Sequence, residues 1–478
     1  MKTKEYALFT IVRYFSFFLL SLRGIILANL LGPEMFGIYG IVSIYLQYLT
    51  LTGMGFPLAV NVELSKKDDK ENILFVGSAF FVTAMTAVIL ILTALYLTYT
   101  GFNIFSQDNS NWYPIIIIGI AIVQNFQQLF LNIFRSSKKI KTIVICELLV
   151  SVVTFSSIFF FKDAKTKIHF YFLMFFSTLA ISVFIYWIYS PLKISFLRSP
   201  EYFKKNLKVG LPLLLYSFSF FFFYLITRTI VGTFYSLEEN GLYTFAFNIS
   251  SAFFLGIDSV TWLLFSDLIA RYTNNTVIEA KSHFYVFSQK FSTCLFGLVF
   301  LFMICLPVLF IYFPKYHDSL ILLEVLLLSQ CIMNIPFAHI TYLIANKLQF
   351  KLSILTLINV SAITVVLYVM AKLHVNIKWI GFATMIGIIT YVNTILLLVA
   401  IKARSSYFQI GKLFRIREQL FVIALAALMI LGYNFVIYLV PVFFIIARYK
   451  TILSLGDDLK IFLNKINTYL KNKKYASR

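Results

Sequence analysis

Three arginines lie inside long apolar runs, where a charged side chain needs a specific reason to be present. They are Arg13, Arg23 and Arg228. An arginine at the centre of a membrane helix costs about 2.5 to 3.5 kcal/mol on insertion scales. The guanidinium is a planar fork of donors that matches phosphate oxygens, which favours an anion-binding role. The alternatives are an ion pair of Arg228 with Asp258, and extension of Arg13 towards the nearby membrane surface.

Asp258 is an acid in the middle of another apolar run, among serines and a threonine. An acid that faces a cavity within the membrane can take up a cation or a proton. Asp258 is therefore our candidate for ion coupling, to a proton or to sodium. Glu147 and Glu324 are predicted to lie shallower, each within about two helical turns of a membrane interface.

Amide side chains recur at helical spacing in two further runs. Gln124, Gln128 and Asn132 are spaced four residues apart, which places them on one face of a helix. Gln330 and Asn334 repeat part of this spacing. Such a face predicts the lining of a wet cavity, and the alternative is hydrogen bonding between helices.

No catalytic or metal-binding motif accompanies these residues. The sequence lacks the G-x-x-x-x-G-K-[ST], G-x-S-x-G and H-E-x-x-H patterns. Its five histidines are scattered, and its four cysteines do not have the spacing of metal ligands. We therefore expect neither an enzyme nor a resident cofactor.

The elements that must position these residues are membrane helices. The hydrophobic fraction is 60% and the charged fraction 13%, against roughly 25% charged residues in a soluble domain. Each span needs about 20 apolar residues, and the apolar runs predict an all-α polytopic membrane protein with about fourteen transmembrane helices. The predicted spans are 6–31, 36–64, 73–99, 113–134, 142–161, 168–190, 209–236, 241–269, 285–313, 317–344, 351–371, 378–401, 419–432 and 434–448.

The charge distribution predicts an orientation. With the N-terminus in the cytoplasm, 32 of the 41 Lys and Arg residues fall on the cytoplasmic side, six fall outside and three lie within spans. This excess follows the positive-inside rule, so we expect both termini in the cytoplasm. It also explains the net charge of +21 without nucleic acid as a partner. Apolar residues at helical spacing in the basic tail favour contact with anionic phospholipids.

An internal repeat appears when the sequence is shifted by 204 residues. Glu34 then falls on Glu238, Gly37 on Gly241 and Tyr39 on Tyr243. This pattern predicts two six-helix halves with the same orientation, in parallel repeat, followed by a C-terminal helix pair. Parallel repeats are typical of transporters that bind substrate between their halves. The predicted division is an N-terminal bundle 1–190, a cytoplasmic linker 191–208, a C-terminal bundle 209–401, an interfacial segment 402–418, transmembrane helices 13 and 14 in 419–448, and a basic cytoplasmic tail 449–478.

Residues 21–60, SLRGIILANLLGPEMFGIYGIVSIYLQYLTLTGMGFPLAV, resemble the opening of the polysaccharide flippase family (Wzx type). GLPLLLYSF (210–218) and EENGLYTFAF (238–247) are similar to the family's seventh and eighth spans. The family belongs to the multidrug/oligosaccharidyl-lipid/polysaccharide exporter superfamily, which includes the multidrug/toxin extruders. One departure is that the acid expected in span seven is not evident, and Arg228 occupies that neighbourhood.

The resemblance implies a flippase of the bacterial cytoplasmic (inner) membrane. Its substrate would be an undecaprenyl-diphosphate-linked oligosaccharide, a repeat unit of O-antigen, lipopolysaccharide or capsule, and Arg23, Arg228 and Arg13 would bind the diphosphate. Other membrane proteins of polysaccharide assembly would be partners. Two alternatives stay open at this point: a membrane glycan polymerase or ligase of the same pathway, and a multidrug or cation extruder of the same superfamily.

Overall fold

The computed structural model describes residues 3–64, 69–100, 113–137, 139–192, 196, 199–274, 277–346, 348–402, 416–433, 444, 448, 449, 451 and 454. Helices dominate these parts of the chain, and no strand occurs in them. The α-helices are α1 Thr3–Leu49, α2 Phe56–Leu64, α3 Asp69–Tyr99, α4 Tyr113–Ser136, α5 Ile140–Ser157, α6 Ala164–Ile188, α7 Pro200–Phe234, α8 Leu237–Asn274, α9 Val277–Tyr312, α10 Leu320–Asn334, α11 Phe337–Ala345, α12 Gln349–Lys372, α13 Ile377–Lys402 and α14 Ile416–Ile430. Two 3₁₀ segments, Thr50–Gly53 and Pro314–Ser319, connect some of them.

Many of the described helices have the length and the apolar composition of membrane spans. Nine helical segments are long and apolar enough to cross a bilayer, and two shorter apolar helices accompany them, Phe221–Phe234 and Gln419–Ile430. The prediction of an all-α polytopic membrane protein is confirmed. The predicted last span, 434–448, lies mostly outside the described residues.

The second predicted span, 36–64, is not one continuous helix as expected. The helix α1 is interrupted at Gly32, where φ is 77°, and Pro33 follows. A second interruption follows Leu49, because Met54 and Gly55 both have positive φ, 48° and 76°, before α2 begins. The break at Gly32 lies between the predicted spans 6–31 and 36–64, where a boundary was expected. Hydropathy does not detect the second break, since the residues around it are as apolar as those of an unbroken helix.

Two helix ends follow directly from the local sequence. Ser236 and Glu239 form a reciprocal capping box at the start of α8: the Ser236 amide and hydroxyl donate to the Glu239 carboxylate, and the Glu239 amide donates to the Ser236 hydroxyl. After α14, Gly432 has φ 97° and the Tyr433 amide donates to the Leu428 carbonyl, as in a Schellman cap. The predicted boundary between spans 419–432 and 434–448 therefore coincides with a turn at Gly432 and Tyr433.

The chain forms two compact units. The first contains residues 1–255 and 364–377, so it holds α1 to α7, the first part of α8 and the end of α12. Its packed centre includes Phe80, Phe130 and Tyr186. The second unit contains 256–363 and 378–478, with α9, α10, α11, α13 and α14.

Within the first unit, α1 and α8 approach closely at Gly37 and Gly241, a contact called the glycine crossing below, and its positions follow the sequence repeat. A Cβ on Gly37 would lie within 3.0 Å of the Leu237 carbonyl oxygen, and a Cβ on Gly241 would lie within 3.0 Å of the Pro33 carbonyl oxygen. Residues 33 and 237, like 37 and 241, are 204 positions apart. The contact is thus reciprocal, as across a two-fold axis, and it supports the repeat deduced from the sequence.

The loops after α4 and α11 give a second match. The Ser137 and Asn346 amides donate to carbonyls four residues back, and the Lys139 and Leu348 amides donate to carbonyls five residues back. Both loops therefore end their helix with the same hydrogen-bond pattern. They contain the FRSSKKIK and IANKLQFK segments, which share their place in the two halves.

Candidate functional site

Arg23 lies in α1 between two other helices of the N-terminal half. Its Nη1 donates to the Thr154 hydroxyl of α5 at 3.2 Å, and its Cζ lies 5.3 Å from the centroid of the Tyr171 ring of α6. The Tyr39 hydroxyl also interacts with this guanidinium. The side chain is only partly buried, and its Nε is enclosed without a hydrogen-bond partner among the described residues. The guanidinium thus retains donor capacity for a ligand.

Arg228, on α7, is more deeply enclosed, with 2% of its surface exposed. Its Nη2 donates to the Gly40 carbonyl at 3.3 Å and to the Ser43 hydroxyl, both on α1. Its Cζ lies 4.8 Å from the centroid of the Phe247 ring. Within the described residues its Nε also has no partner.

Two tyrosines that the repeat pairs lie near these arginines. Tyr39 is near both Arg23 and Arg228, and Tyr243, its counterpart 204 residues later, is near Arg228. The hydrogen bonds nevertheless differ, since Arg23 donates within the N-terminal half whereas Arg228 donates from α7 to α1. The two positions therefore match within one residue in the repeat and differ in their partners.

Among the described side chains, the partners of both guanidiniums are hydroxyls, a carbonyl and aromatic rings, with no acid among them. A buried ion without a paired charge is costly, although cation–π contacts recover about 0.5 to 2 kcal/mol each. The arrangement is suited to receive an anion. The side chains of Asp258 and Arg13 lie outside the described residues, so the Arg228–Asp258 ion pair and the roles of both residues stay predictions.

The three amide residues of the predicted cavity face on α4 differ in how deeply they are buried. Gln128 is exposed, Gln124 is partly buried and Asn132 is buried with 5% exposed. The Asn132 amide nitrogen donates to the Gln128 carbonyl of its own helix at 2.8 Å. Part of its hydrogen-bonding capacity is therefore used within the helix, and cavity lining by these residues stays a prediction.

The second amide pair makes the matching contact. The Asn334 amide nitrogen donates to the Gln330 carbonyl at 2.9 Å, and Gln330 is buried with 7% exposed. This back-bonding to the carbonyl four residues earlier is a local use of a polar side chain. Asn346 and Asn359 make the same bond to the carbonyl four residues earlier, so this contact is a local habit of asparagine in these helices.

Several polar contacts were not predicted from the sequence. The Asn125 amide nitrogen of α4 donates to the Thr52 hydroxyl at 2.9 Å, and the Gln127 amide nitrogen donates to the Ser182 hydroxyl at 3.1 Å. Tyr39 and Tyr243 could have been found, because the repeat alignment already paired them. Nothing in the local sequence indicates the other partners, which are distant in the chain.

Metal ligands are not assembled in the described part of the chain, where no three His, Cys, Asp or Glu side chains come together. The four cysteines, which are not disulfide-bonded, are Cys146, Cys294, Cys305 and Cys331.

Comparison with known proteins gives the family and the fold. Residues 3–262 match the family model described as polysaccharide biosynthesis protein. No curated protein matches the chain.

The solved structures that resemble the chain are transporters. One is an inward-facing multidrug resistance MATE family transporter of the MOP superfamily, with 14% identity and a TM-score of 0.63 over 81% of this chain and 94% of that one. An outward-facing structure with the same description has 15% identity and a TM-score of 0.59 over 83% and 93%. A MOP superfamily transporter from Pyrococcus furiosus, described as having a binding pocket of reverse polarity, has 16% identity and a TM-score of 0.58 over 85% and 94%.

At these identities the structural likeness establishes the fold alone, which is the multi-pass membrane fold of these neighbours. The family follows from the sequence model, which covers more than half of the chain. The chain belongs to the polysaccharide biosynthesis protein family.

Proposed function

We propose that this protein is a flippase that moves an undecaprenyl-diphosphate-linked oligosaccharide from the inner to the outer leaflet by alternating access. The substrate would be a repeat unit of O-antigen or capsule, and the membrane would be the bacterial cytoplasmic membrane with both termini inside. Anionic phospholipids and other membrane proteins of polysaccharide assembly would be its partners.

The observation that carries this proposal is the partly buried guanidinium of Arg23 in a transporter fold. Its Nε is unpartnered among the described residues, and its nearest described partners are neutral. A diphosphate supplies the missing charge and several acceptors, and arginine can bind it with two parallel hydrogen bonds. A cation extruder would need the opposite polarity at this position.

The test uses a bacterial strain that lacks this gene and is complemented with wild type or a variant. Arg23→Met removes the charge with little loss of apolar bulk, and Arg23→Lys keeps the charge but removes the planar fork. We expect at least a ten-fold loss of surface polymer for Arg23→Met and a smaller loss for Arg23→Lys. Lipid-linked glycan should accumulate on the cytoplasmic side, while membrane levels of the protein stay normal.

The matched control is Lys162→Met, which removes an exposed cation from the segment between α5 and α6. It should support full polymer. If Arg23→Met also gave full polymer at normal protein level, Arg23 would not bind substrate. If deletion of the gene itself left the polymer unchanged, the flippase proposal would fail in favour of the extruder.

A further inference from the structure

Glu324 is a deeply buried acid in the second unit. It lies on α10, and 1% of its surface is exposed. Its Oε2 has no hydrogen-bond partner among the described residues. The sequence predicted a shallow position along the helix, and the structure adds that every residue from Leu322 to Met333 is buried. The Glu324 side chain is therefore enclosed by protein.

The surroundings of Glu324 do not compensate a negative charge. The helix α10 packs on α9, on the 3₁₀ segment before it and on α14, and Leu322 lies close to Gly381 of α13. The described titratable groups on α10 and these elements, other than Glu324, are Lys290, Cys294, Cys305, Tyr312, Lys315, Tyr316, His317, Asp318, Cys331, Lys378, Tyr391 and Lys402. None of these described groups forms a hydrogen bond with the Glu324 Oε2 atom. The side chains of Arg417 and Glu418 on α14 lie outside the described residues.

A carboxylate in such surroundings is strongly disfavoured relative to the neutral acid. A metal cation is a poor alternative occupant, because sodium or a divalent ion needs several oxygen ligands. Within the described residues, no group of three or more His, Cys, Asp or Glu side chains that could hold a metal ion forms around Glu324. The chemistry of the site therefore suits a proton.

Two helix interruptions bound α10 and permit it to move. The 3₁₀ segment Pro314–Ser319 precedes it, and a turn at Ile335 and Pro336 separates it from α11. Short 3₁₀ segments and prolines are where helices bend. Movement at these joints would bring water to the carboxyl.

We propose that Glu324 carries the coupling proton of this transporter, holding it while α10 is enclosed and releasing it to water when α10 opens. The release breaks the acid O–H bond and leaves a solvated carboxylate. This role rests on the proposed transport function, but the protonation of Glu324 can be tested without any substrate.

The first test is an infrared titration of the purified full-length protein in lipid nanodiscs. The C=O stretch of a protonated carboxylic acid is recorded for wild type, Glu324→Gln and, as a control, Glu201→Gln, which alters an exposed acid at the start of α7. We expect a band at neutral pH that is lost in Glu324→Gln and retained in Glu201→Gln. Glu324→Asp should shift the band rather than remove it, which provides a second variant if the glutamine form does not fold.

Several outcomes would overturn the proposal. A band that is unchanged in Glu324→Gln would show that Glu324 is not the protonated acid. A band that is displaced when choline is replaced by sodium would indicate a cation site. A loss of the band in Asp258→Asn instead would assign the proton to Asp258.

The second test measures surface polymer in the complemented deletion strain. We expect Glu324→Gln to reach normal membrane levels, because glutamine mimics the neutral acid, and to lower polymer at least ten-fold. Full polymer with Glu324→Gln together with loss in Arg23→Met would refute coupling by Glu324 and leave the flippase proposal standing. Full polymer in Arg23→Met together with a loss in Glu324→Gln would instead refute anion binding by Arg23 and leave the coupling role of Glu324 standing.

Discussion

Arg228 of α7 donates a hydrogen bond from Nη2 to the Ser43 hydroxyl of α1. The two residues are 185 positions apart, and the same nitrogen also donates to the Gly40 carbonyl. A buried cation therefore connects the first helix of the second half to the segment of α1 that follows its interruption at Gly32. Its role differs from that of Arg23, whose hydrogen bond stays within the first half.

Arg228→Lys should weaken the α7–α1 contact, because an ammonium lacks the planar fork and reaches the two acceptors less well. We expect the free energy of unfolding to fall by about 1 to 2 kcal/mol, near the upper end of hydrogen bonds between membrane helices because the donor is charged. Thermal unfolding in nanodiscs would measure it. Ser43→Ala is the partner variant, and a double variant whose loss equals the sum of both would contradict a direct contact.

Gly37→Ala and Gly241→Ala should each destabilise the glycine crossing. The added methyl group would meet backbone rather than a movable side chain, and forced overpacking typically costs about 1 to 3 kcal/mol. Gly256→Ala is the matched control, since a Cβ there meets nothing within 4 Å, and it should leave stability unchanged or slightly higher. Equal thermal unfolding of all three variants would contradict the close approach.

Tyr171→Leu should reduce the activity attributed to Arg23, because it removes the ring that lies 5.3 Å from the guanidinium. A cation–π contact of about 0.5 to 2 kcal/mol corresponds to a several-fold to roughly thirty-fold effect. Surface polymer in the complemented strain is the measurement. Tyr171→Phe keeps the ring and should retain most activity, so an equal loss in both variants would assign the effect to the hydroxyl.

Asp163 should give the start of α6 a pH dependence. Hydrogen bonds from the Thr166 amide and hydroxyl lower the pKa of this carboxyl, so its stabilising effect is present above the unfolded value of about 3.9 and is lost as pH falls through the lower folded value. Hydrogen exchange of the Thr166 amide should accelerate in Asp163→Ala at neutral pH.

Asp163→Asn provides the control for charge, since asparagine also caps helices but does not titrate. In this variant the Thr166 amide should stay protected from hydrogen exchange, and lowering the pH should no longer remove the stabilising effect of the cap. The cap assignment would be refuted if Asp163→Ala exchanged at the wild-type rate.

Features that repeat or alternate along the chain could be predicted from the sequence. Hydropathy indicated the membrane helices, the 204-residue shift paired Gly37 with Gly241, and the predicted boundary between spans 419–432 and 434–448 coincides with the turn at Gly432. The break at Met54 and Gly55 could not be predicted, because apolar composition does not record backbone angles.

The surroundings of individual side chains were harder to predict from the sequence. Arg23 meets Thr154 across 131 residues of chain, and no local signal marks such a partner. Glu324 was assigned from its distance to a predicted interface, whereas its enclosure depends on how other helices pack around α10. Depth along a helix and burial within a bundle are separate quantities, and hydropathy reports only the first.

The reciprocal crossing at Gly37 and Gly241 has a consequence for the origin of the chain. Each half presents the same surface to the other, so a single six-helix ancestor with one such glycine could have formed this contact with a second copy of itself. Fusion of two copies would then have released each half to diverge, which is what the unlike partners of Arg23 and Arg228 record.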